Sequence, residues 1–172
     1  IADYEAVGKA IAAFEAEVGP TDILVNNAGW DRFANFVDTT PDLWDQLIAI
    51  NLRGPLNMSH FVLKTMVARG SGRIVNIASI AGLRGNPPGA MQTIAYNTSK
   101  GALVNFTRTL AGEWGRHGIT VNALAPGFFP SKMSSALIKT LGEEVLIGNS
   151  PLQRLGDDED LKGLCLLFAS DA

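Results

Sequence analysis

The stretch that decides the fold runs from Arg73 to Lys100. It reads RIVNIAS at 73–79, then a Gly- and Pro-rich loop, then AYNTSK at 95–100. The first segment is apolar almost throughout and predicts a buried strand that ends at Ser79. A hydroxyl at the carboxyl end of a parallel strand lies where open α/β sheets bind their ligands. The stretch therefore predicts a parallel sheet with a functional edge beside Ser79.

Tyr96 and Lys100 form the second feature of this stretch. If the segment is helical, the two side chains lie on one face, one turn apart. An ammonium beside a phenol favours the phenolate, and a Tyr tuned in this way is a competent general acid or base. The alternative is a chance pair on a solvated face. The rest of the chain favours the catalytic interpretation.

Strands alternate with long helices along the chain. We predict helices over 3–18, 41–69 and 95–116, and strands over 22–26, 73–78 and 119–124. A kink or local break is expected at Gly54-Pro55, because proline cannot donate a helical hydrogen bond. Apolar strands joined by helical crossovers indicate a parallel sheet covered on both faces. The predicted fold is one α/β domain over residues 1–172, with three α/β/α layers.

Composition narrows the function. With 47% hydrophobic and 18% charged residues the chain is globular, and no apolar run is long enough to predict a membrane span. A net charge of −3 with scattered Lys and Arg argues against nucleic-acid binding. The single cysteine, Cys165, fits a reducing, cytoplasmic location. His60 and His117 have no partners at ligand spacing, so we expect no metal site.

Three further motifs carry small or polar residues. Asn26-Asn27-Ala28-Gly29 follows a predicted strand, and its Ala and Gly allow another molecule to approach the backbone closely. Pro126-Gly127 follows the last predicted strand and leads into an apolar segment. Asn51 lies in an apolar helical stretch and needs partners if it is buried. Each motif alone also has an ordinary structural interpretation, as a strand-end turn or a satisfied core amide.

These motifs, in this order, resemble those of the short-chain dehydrogenase/reductase family. Within it the chain is most similar to 3-oxoacyl reductases, gluconate 5-dehydrogenase-like enzymes and alicyclic hydroxyacyl-CoA dehydrogenases. The resemblance implies a Rossmann-type, doubly wound sheet. It also implies an NAD- or NADP-dependent oxidoreductase that interconverts a ketone and a secondary alcohol of acyl or hydroxy-acid type. Family members commonly assemble as homodimers or homotetramers, so a homo-oligomer is expected.

The resemblance implies a role for each motif residue. Tyr96 would exchange a proton with the substrate oxygen, and Ser79 would hydrogen-bond the carbonyl. Lys100 would lower the pKa of Tyr96 and hold the nicotinamide ribose, while Asn51 would hold a water that relays protons from Lys100. Besides Tyr96 and Lys100, the residues that would line the cofactor are Asn26, Ala28, Gly29, Pro126, Gly127, Phe129 and Ser131.

The sequence departs from the family pattern at its ends and in one loop. The Gly-rich turn of the first βα units and the last strand are not in these residues, nor is the residue that selects NAD or NADP. The chain opens at Ile1 into a helix, so we expect a piece of a longer protein. Expressed alone, residues 1–172 are expected to be inactive, aggregation-prone and unable to bind a dinucleotide measurably. The loop at 84–89 is longer than the corresponding loop in the family pattern. Because this loop should border the substrate, its length leaves the substrate class open.

We predict that residues 128–150 form a mobile lid over the substrate, because they place many apolar side chains between a cofactor loop and the next helix. A statically packed helical pair is the alternative. Two alternatives also stand beside the oxidoreductase: a catalytically silent dinucleotide-binding protein, and an epimerase or dehydratase of the same fold. The complete set of Asn51, Ser79, Tyr96 and Lys100 argues against the silent protein. Net oxidation of added cofactor would distinguish the oxidoreductase from the epimerase.

Overall fold

A three-stranded parallel sheet forms the centre of the molecule. The computed structural model describes residues 1–86, 91–132, 134–148 and 150–171. The strands are β1 (Ile23–Asn26), β2 (Gly72–Ile77) and β3 (Ile119–Leu124), in the order β1-β2-β3. Val75 of β2 pairs with Val25 on one side and with Asn122 on the other. Because the strands are parallel, all three carboxyl ends meet at one edge of the sheet.

Seven α-helices lie within the described residues. They are α1 (Tyr4–Glu17), α2 (Pro41–Ile48), α3 (Gly54–Arg69), α4 (Ile94–Trp114), α5 (Ser135–Leu141), α6 (Glu143–Ile147) and α7 (Lys162–Ala169). Asp3 caps α1, since its Oδ1 accepts a hydrogen bond from the Ala6 N–H at 2.9 Å. Gly70 ends α3 with a φ of 73°, the left-handed conformation typical of a helix C-terminus.

The predicted helix over 41–69 is interrupted, as expected near Gly54-Pro55. Residues Ala49–Arg53 form a π-helical turn between α2 and α3, and the Gly54 N–H donates to the Ala49 carbonyl. Pro55 has no N–H, so the Asn51 carbonyl lacks the donor that an α-helix would supply. The break therefore falls at a residue that the sequence had marked as functional.

One face of the sheet carries the main core. Leu24, Ile74 and Val121 pack with Met66 of α3 and Leu110 of α4, and Ile74 and Met66 are completely buried. Side chains alternate between the two faces of a strand, so Arg73 points to the opposite face from Ile74. There its guanidinium donates to the Ser170 carbonyl and pairs with Asp171, directly after α7.

Helices therefore cover both faces, and the predicted α/β/α layering is confirmed. Helix α7 packs against β2 and β3, while α1 packs on α3. Part of the α7 face stays open, since Ile23 and Val25 of β1 are 45% and 41% exposed. No helix of the described residues is both long and apolar enough to cross a membrane. Pro87, Pro88 and Gly89 of the long loop and Met133 of the predicted lid lie outside the described residues.

Candidate active site

The predicted catalytic residues converge at the carboxyl end of β2. Ser79 is the second residue after β2, and Tyr96 and Lys100 lie in the first turns of α4. The Lys100 ammonium lies over the Tyr96 ring, 5.7 Å from its centroid, and donates to the Ile77 carbonyl at 2.7 Å. Lys100 is thus fixed by the last residue of β2 on one side and faces the phenol on the other.

A glycine that the sequence analysis missed brings Ser79 to α4. The Ser79 hydroxyl accepts the Ala81 N–H and starts a short 3-10 turn over Ile80–Gly82. A Cβ on Gly82 would lie 2.6 Å from the carbonyl carbon of Lys100 and 2.7 Å from its oxygen. Only glycine therefore allows the loop after Ser79 to lie directly on the backbone of α4.

Asn51 ties the loop after β1 to the same place. Its Oδ1 accepts the Trp30 N–H at 2.8 Å, and its Nδ2 donates to the Trp30 carbonyl at 2.8 Å and to Ser99 Oγ at 3.1 Å. The amide is completely buried, and these bonds satisfy it. The side chain therefore holds Trp30 against α4.

A second buried network of side-chain hydrogen bonds supports the strand ends. Asn26 donates to Asn76 Oδ1 at 2.8 Å and to Ser59 at 3.3 Å, and Asn76 donates to Thr107 at 2.9 Å. The network joins β1, β2, α3 and α4 through side chains that are all buried. The Asn26 side chain thus lies in the core, so any contact of Asn26 with a cofactor falls to its backbone. Asn76 and Thr107 gave no signal in the sequence beyond being polar residues in apolar segments.

The other predicted cofactor residues lie at the same edge or just beyond it. A Cβ on Gly29, next to Ala28, would lie 3.5 Å from both Lys100 Nζ and Asn51 Oδ1. The Ile80 N–H donates to the Pro126 carbonyl at 3.1 Å, and Gly127 faces the Ile80 side chain.

Phe129 and Ser131 lie farther along this loop. The Phe129 ring packs on Gly156, where a Cβ would lie 2.3 Å from ring carbons, and the Ser131 and Ser134 hydroxyls are 3.0 Å apart.

These residues fit the nicotinamide half of a dinucleotide. The Cβ position of Gly29 lies 3.5 Å from Lys100 Nζ, so no side chain separates this turn from the ammonium, which is the donor that ribose hydroxyls require. A shallow groove with an enclosed volume of about 10 Å³ adjoins Tyr96, and its lining includes Arg32, Gln92 and Thr93. The described residues contain no group of three His, Cys, Asp or Glu side chains that could hold a metal ion.

The site holds a third ionisable group that the sequence analysis missed, Asp31. Burial raises the pKa of the Asp31 carboxyl to about 6, against the effects of the Arg32 N–H and the Lys100 charge. Burial lowers the pKa of Lys100 to about 8, while the negative charge of Asp31 opposes this shift. The sequence offered no signal for Asp31 except its place two residues after Gly29.

The pKa of the Tyr96 phenol is raised above its ordinary value, and the expectation that Lys100 lowers it stays a prediction. Burial is the main cause, the Ser79 side chain opposes it by hydrogen bonding, and the charge of Asp31 adds to it. The contacts of the Lys100 ammonium are consistent with this direction of the Tyr96 pKa. The Lys100 ammonium is bonded to the Ile77 carbonyl and lies above the ring, and Asp31 offsets its positive charge.

Comparisons with known proteins agree with this geometry. Residues 1–142 match the family model described as short chain dehydrogenase. The chain is 40% identical over 171 residues to an acetoacetyl-CoA reductase of Shinella zoogloeoides, covering 99% of this chain and 69% of the relative. It is 36% identical to a 3-oxoacyl-[acyl-carrier-protein] reductase of Staphylococcus epidermidis, covering 99% of this chain and 68% of the relative.

A solved structure gives the same result. The gluconate 5-dehydrogenase of Burkholderia cenocepacia, in complex with NADP and tartrate, superposes with a TM-score of 0.93 at 37% identity, covering 98% of this chain and 65% of that one. The chain thus spans about two thirds of the length of these relatives. The resemblance inferred from the motifs is confirmed, and the relatives are dehydrogenases and reductases that act on CH–OH groups or their ketones. The chain belongs to the short chain dehydrogenase family.

Proposed function

We propose that the protein interconverts a ketone and a secondary alcohol by hydride transfer with NAD or NADP, using Tyr96 as general acid and base. One observation carries this proposal. A phenol, a hydroxyl and an ammonium, from Tyr96, Ser79 and Lys100, meet at the carboxyl edge of a parallel sheet, next to Gly29. The dinucleotide supplies the hydride when it is bound, and the protein supplies position and electrostatics.

The raised pKa of Tyr96 supports a role in reduction. A phenol with a raised pKa stays protonated at neutral pH, and the protonated form can donate to a carbonyl oxygen. The Ser79 hydroxyl, held beside the phenol, donates a hydrogen bond to the same oxygen and stabilises its developing charge. In the opposite direction the same two groups accept and hold the proton of the alcohol.

Lys100 and Asn51 serve the proton supply. Lys100, with a pKa of about 8, is mostly an ammonium at pH 7 and can return a proton towards Tyr96 through the ribose hydroxyls that it holds. The Asn51 carbonyl, which has no α-helical donor because Pro55 lacks an N–H, holds the water that connects Lys100 to solvent. The Asn51 side chain keeps the loop at Trp30 in place.

For the substrate we propose a ketone with an acyl or hydroxy-acid part. The supporting observations are the groove between Arg32 and Tyr96 and the relatives, which include acyl reductases and a gluconate 5-dehydrogenase. Arg32 lines this groove, so a carboxylate or phosphate of the substrate would find a cation there.

We further propose that residues 128–150 form a lid over the substrate. Helices α5 and α6 meet at Gly142, which has a φ of 81°, and Val145 on α6 is 63% exposed. Such a short helical pair can move as a unit about its ends. By family resemblance we also propose a homodimer or homotetramer, and by cysteine usage a cytoplasmic location.

The test is a dinucleotide assay in the longest natural polypeptide that contains residues 1–172. NADH and NADPH are each offered with acetoacetyl-CoA and with 5-ketogluconate, and dinucleotide absorbance and alcohol product are measured together. We expect one dinucleotide to be oxidised in a one-to-one ratio to the alcohol formed. Epimerised or dehydrated product without net dinucleotide oxidation would contradict the proposal and favour the epimerase alternative. Binding of dinucleotide without any turnover would favour the silent protein.

A further inference from the structure

Asp31 occupies a fixed place beside the catalytic pair. It follows Trp30, whose N–H and carbonyl are both bonded to the buried Asn51 amide. Its own Oδ1 accepts the Arg32 N–H at 2.7 Å, which fixes the carboxylate within the turn. Gly29, two residues earlier, lies against Lys100 Nζ. The segment from Gly29 to Arg32 is therefore held over the start of α4, with a half-buried carboxylate at its centre.

The charged groups around Asp31 come from two elements. Helix α4 contributes Lys100 and Tyr96, both of which interact with Asp31 electrostatically, and the turn itself contributes the Arg32 N–H. The π-helical turn contributes the neutral amide of Asn51, which accepts the Trp30 N–H. A negative charge in this position stabilises an ammonium at Lys100 and disfavours a phenolate at Tyr96.

We propose that Asp31 is a positioning residue of this site, whose carboxylate acts through Lys100 and Tyr96 to hold the pair as ammonium and phenol. This is the state from which the reduction of a ketone begins, so the inference rests on the proposed function where it concerns catalysis. When Asp31 is neutral, the Tyr96 phenolate forms at lower pH, and this favours the oxidation of an alcohol. Asp31 thereby sets the pH at which the two directions exchange dominance.

The first experiment needs no activity. The measurement uses the longest natural polypeptide that contains residues 1–172, and each variant is paired with its Tyr96→Phe version, so that the difference in phenolate absorbance isolates Tyr96. In that polypeptide, Asp31→Asn is compared with Asp38→Asn, which removes the same charge from an exposed position. Phenolate absorbance is followed over the pH range in which circular dichroism shows the chain folded. We expect Asp31→Asn to lower the Tyr96 midpoint by about 1 pH unit and Asp38→Asn to leave it unchanged.

The reciprocal measurement remains available if Asp31→Asn does not fold. The Arg32 amide proton reports the ionisation of Asp31 directly, since it donates to that carboxylate. In the unsubstituted chain its resonance should titrate with a midpoint near the Asp31 pKa of about 6. Lys100→Met removes the positive charge and should move this midpoint upward, because two coupled sites shift each other.

A third readout connects the coupling to catalysis. In the active polypeptide, Asp31→Asn should move the pH profile of alcohol oxidation to lower pH, Asp31→Glu should restore it, and Asp38→Asn should not change it. Equal Tyr96 midpoints in the Asp31→Asn and Asp38→Asn chains, or an unmoved Arg32 midpoint in Lys100→Met, would overturn the inference. A lowered Tyr96 midpoint in a protein without reductase activity would instead overturn the proposed function, while the electrostatic coupling would stand.

Discussion

The catalytic edge and the segment over 128–150 are built in opposite ways. At the edge, Asn51 and Ser99 are completely buried, Lys100 is 4% exposed, and hydrogen bonds connect β2, α4 and the π-helical turn. In the segment, α5 and α6 have seven and five residues, and the serine hydroxyls at 131 and 134 bond within their own turn. Among the described hydrophobic side chains of this segment, those of Leu137 and Leu146 are buried.

The difference fits the roles that we propose for the two regions. Proton transfer needs donor and acceptor held at fixed distances, so the groups that exchange protons are anchored on regular elements and satisfied by buried partners. A cover over a substrate has to open, so it is drawn from the part of the structure with the fewest buried contacts. The predictions below test this division, beginning with the largest expected effect.

Removing the phenol oxygen should affect the catalytic edge most. Tyr96→Phe keeps the ring that faces Lys100 but loses the proton donor, so we expect turnover to fall roughly 10² to 10⁴-fold. Steady-state rates and dinucleotide affinity are measured in the active polypeptide, and the affinity should stay within a few-fold. Tyr4→Phe is the matched control, because it removes the other phenol, on α1 and 45% exposed. Turnover of Tyr96→Phe close to that of the control would contradict the assignment.

The two regions should also differ in their contribution to stability. Met66 is completely buried between α3 and the sheet, so Met66→Ala should reduce the free energy of unfolding by about 2–5 kcal/mol. Val145 is 63% exposed on α6, so Val145→Ala should change it by less than about 0.5 kcal/mol. Urea unfolding followed by circular dichroism measures both. Similar losses for the two variants would mean that the segment is packed as firmly as the core.

Two glycines near Ser79 give a finer test of the edge. Gly82→Ala places a methyl group 2.6 Å from the backbone of Lys100, and should cost about 1–3 kcal/mol of stability together with turnover, because Ser79 must move. Gly85 has no atom within 4 Å of its Cβ position, so Gly85→Ala should be neutral in both respects. Thermal unfolding and steady-state rates compare the two. A fully active Gly82→Ala would show that the loop after Ser79 tolerates displacement.

What the sequence could predict was local. The apolar strand that ends at Ser79, the spacing of Tyr96 and Lys100 and the break at Gly54-Pro55 each depend on a few neighbouring residues and the period of one element. The convergence of three strand ends then follows from parallel topology alone. For this reason the fold, and the meeting of the residues that we propose as catalytic at one sheet edge, could be predicted from the sequence.

What it could not predict depends on contacts between distant segments. The closeness of Gly82 to the backbone of Lys100, and of Asp31 to the Tyr96–Lys100 pair, arises only when the turn after β1 and the turn after β2 both pack on α4. The raised pKa of Tyr96 has the same kind of origin. Pair spacing shows that a cation is near, whereas burial and a second, opposite charge decide the balance.

The smallest expected effect concerns the motion of the segment over 128–150. Its backbone hydrogen bonds are mostly local, and it is connected to the body through the pairing of the Gly156 N–H with the Phe128 carbonyl and the packing of Phe129 on Gly156. Amide exchange of α5 and α6 in the active polypeptide should therefore be faster than that of α3 and should slow several-fold when dinucleotide and ketone are both bound. Exchange of α3, which carries Val62 and Met66 in the core, serves as the internal reference and should not respond. Hydrogen exchange with mass spectrometry resolves these peptides. Equal protection of α5 and α6 in the free and bound states would identify the segment as the statically packed pair, and the contrast with the catalytic edge would then be one of burial without motion.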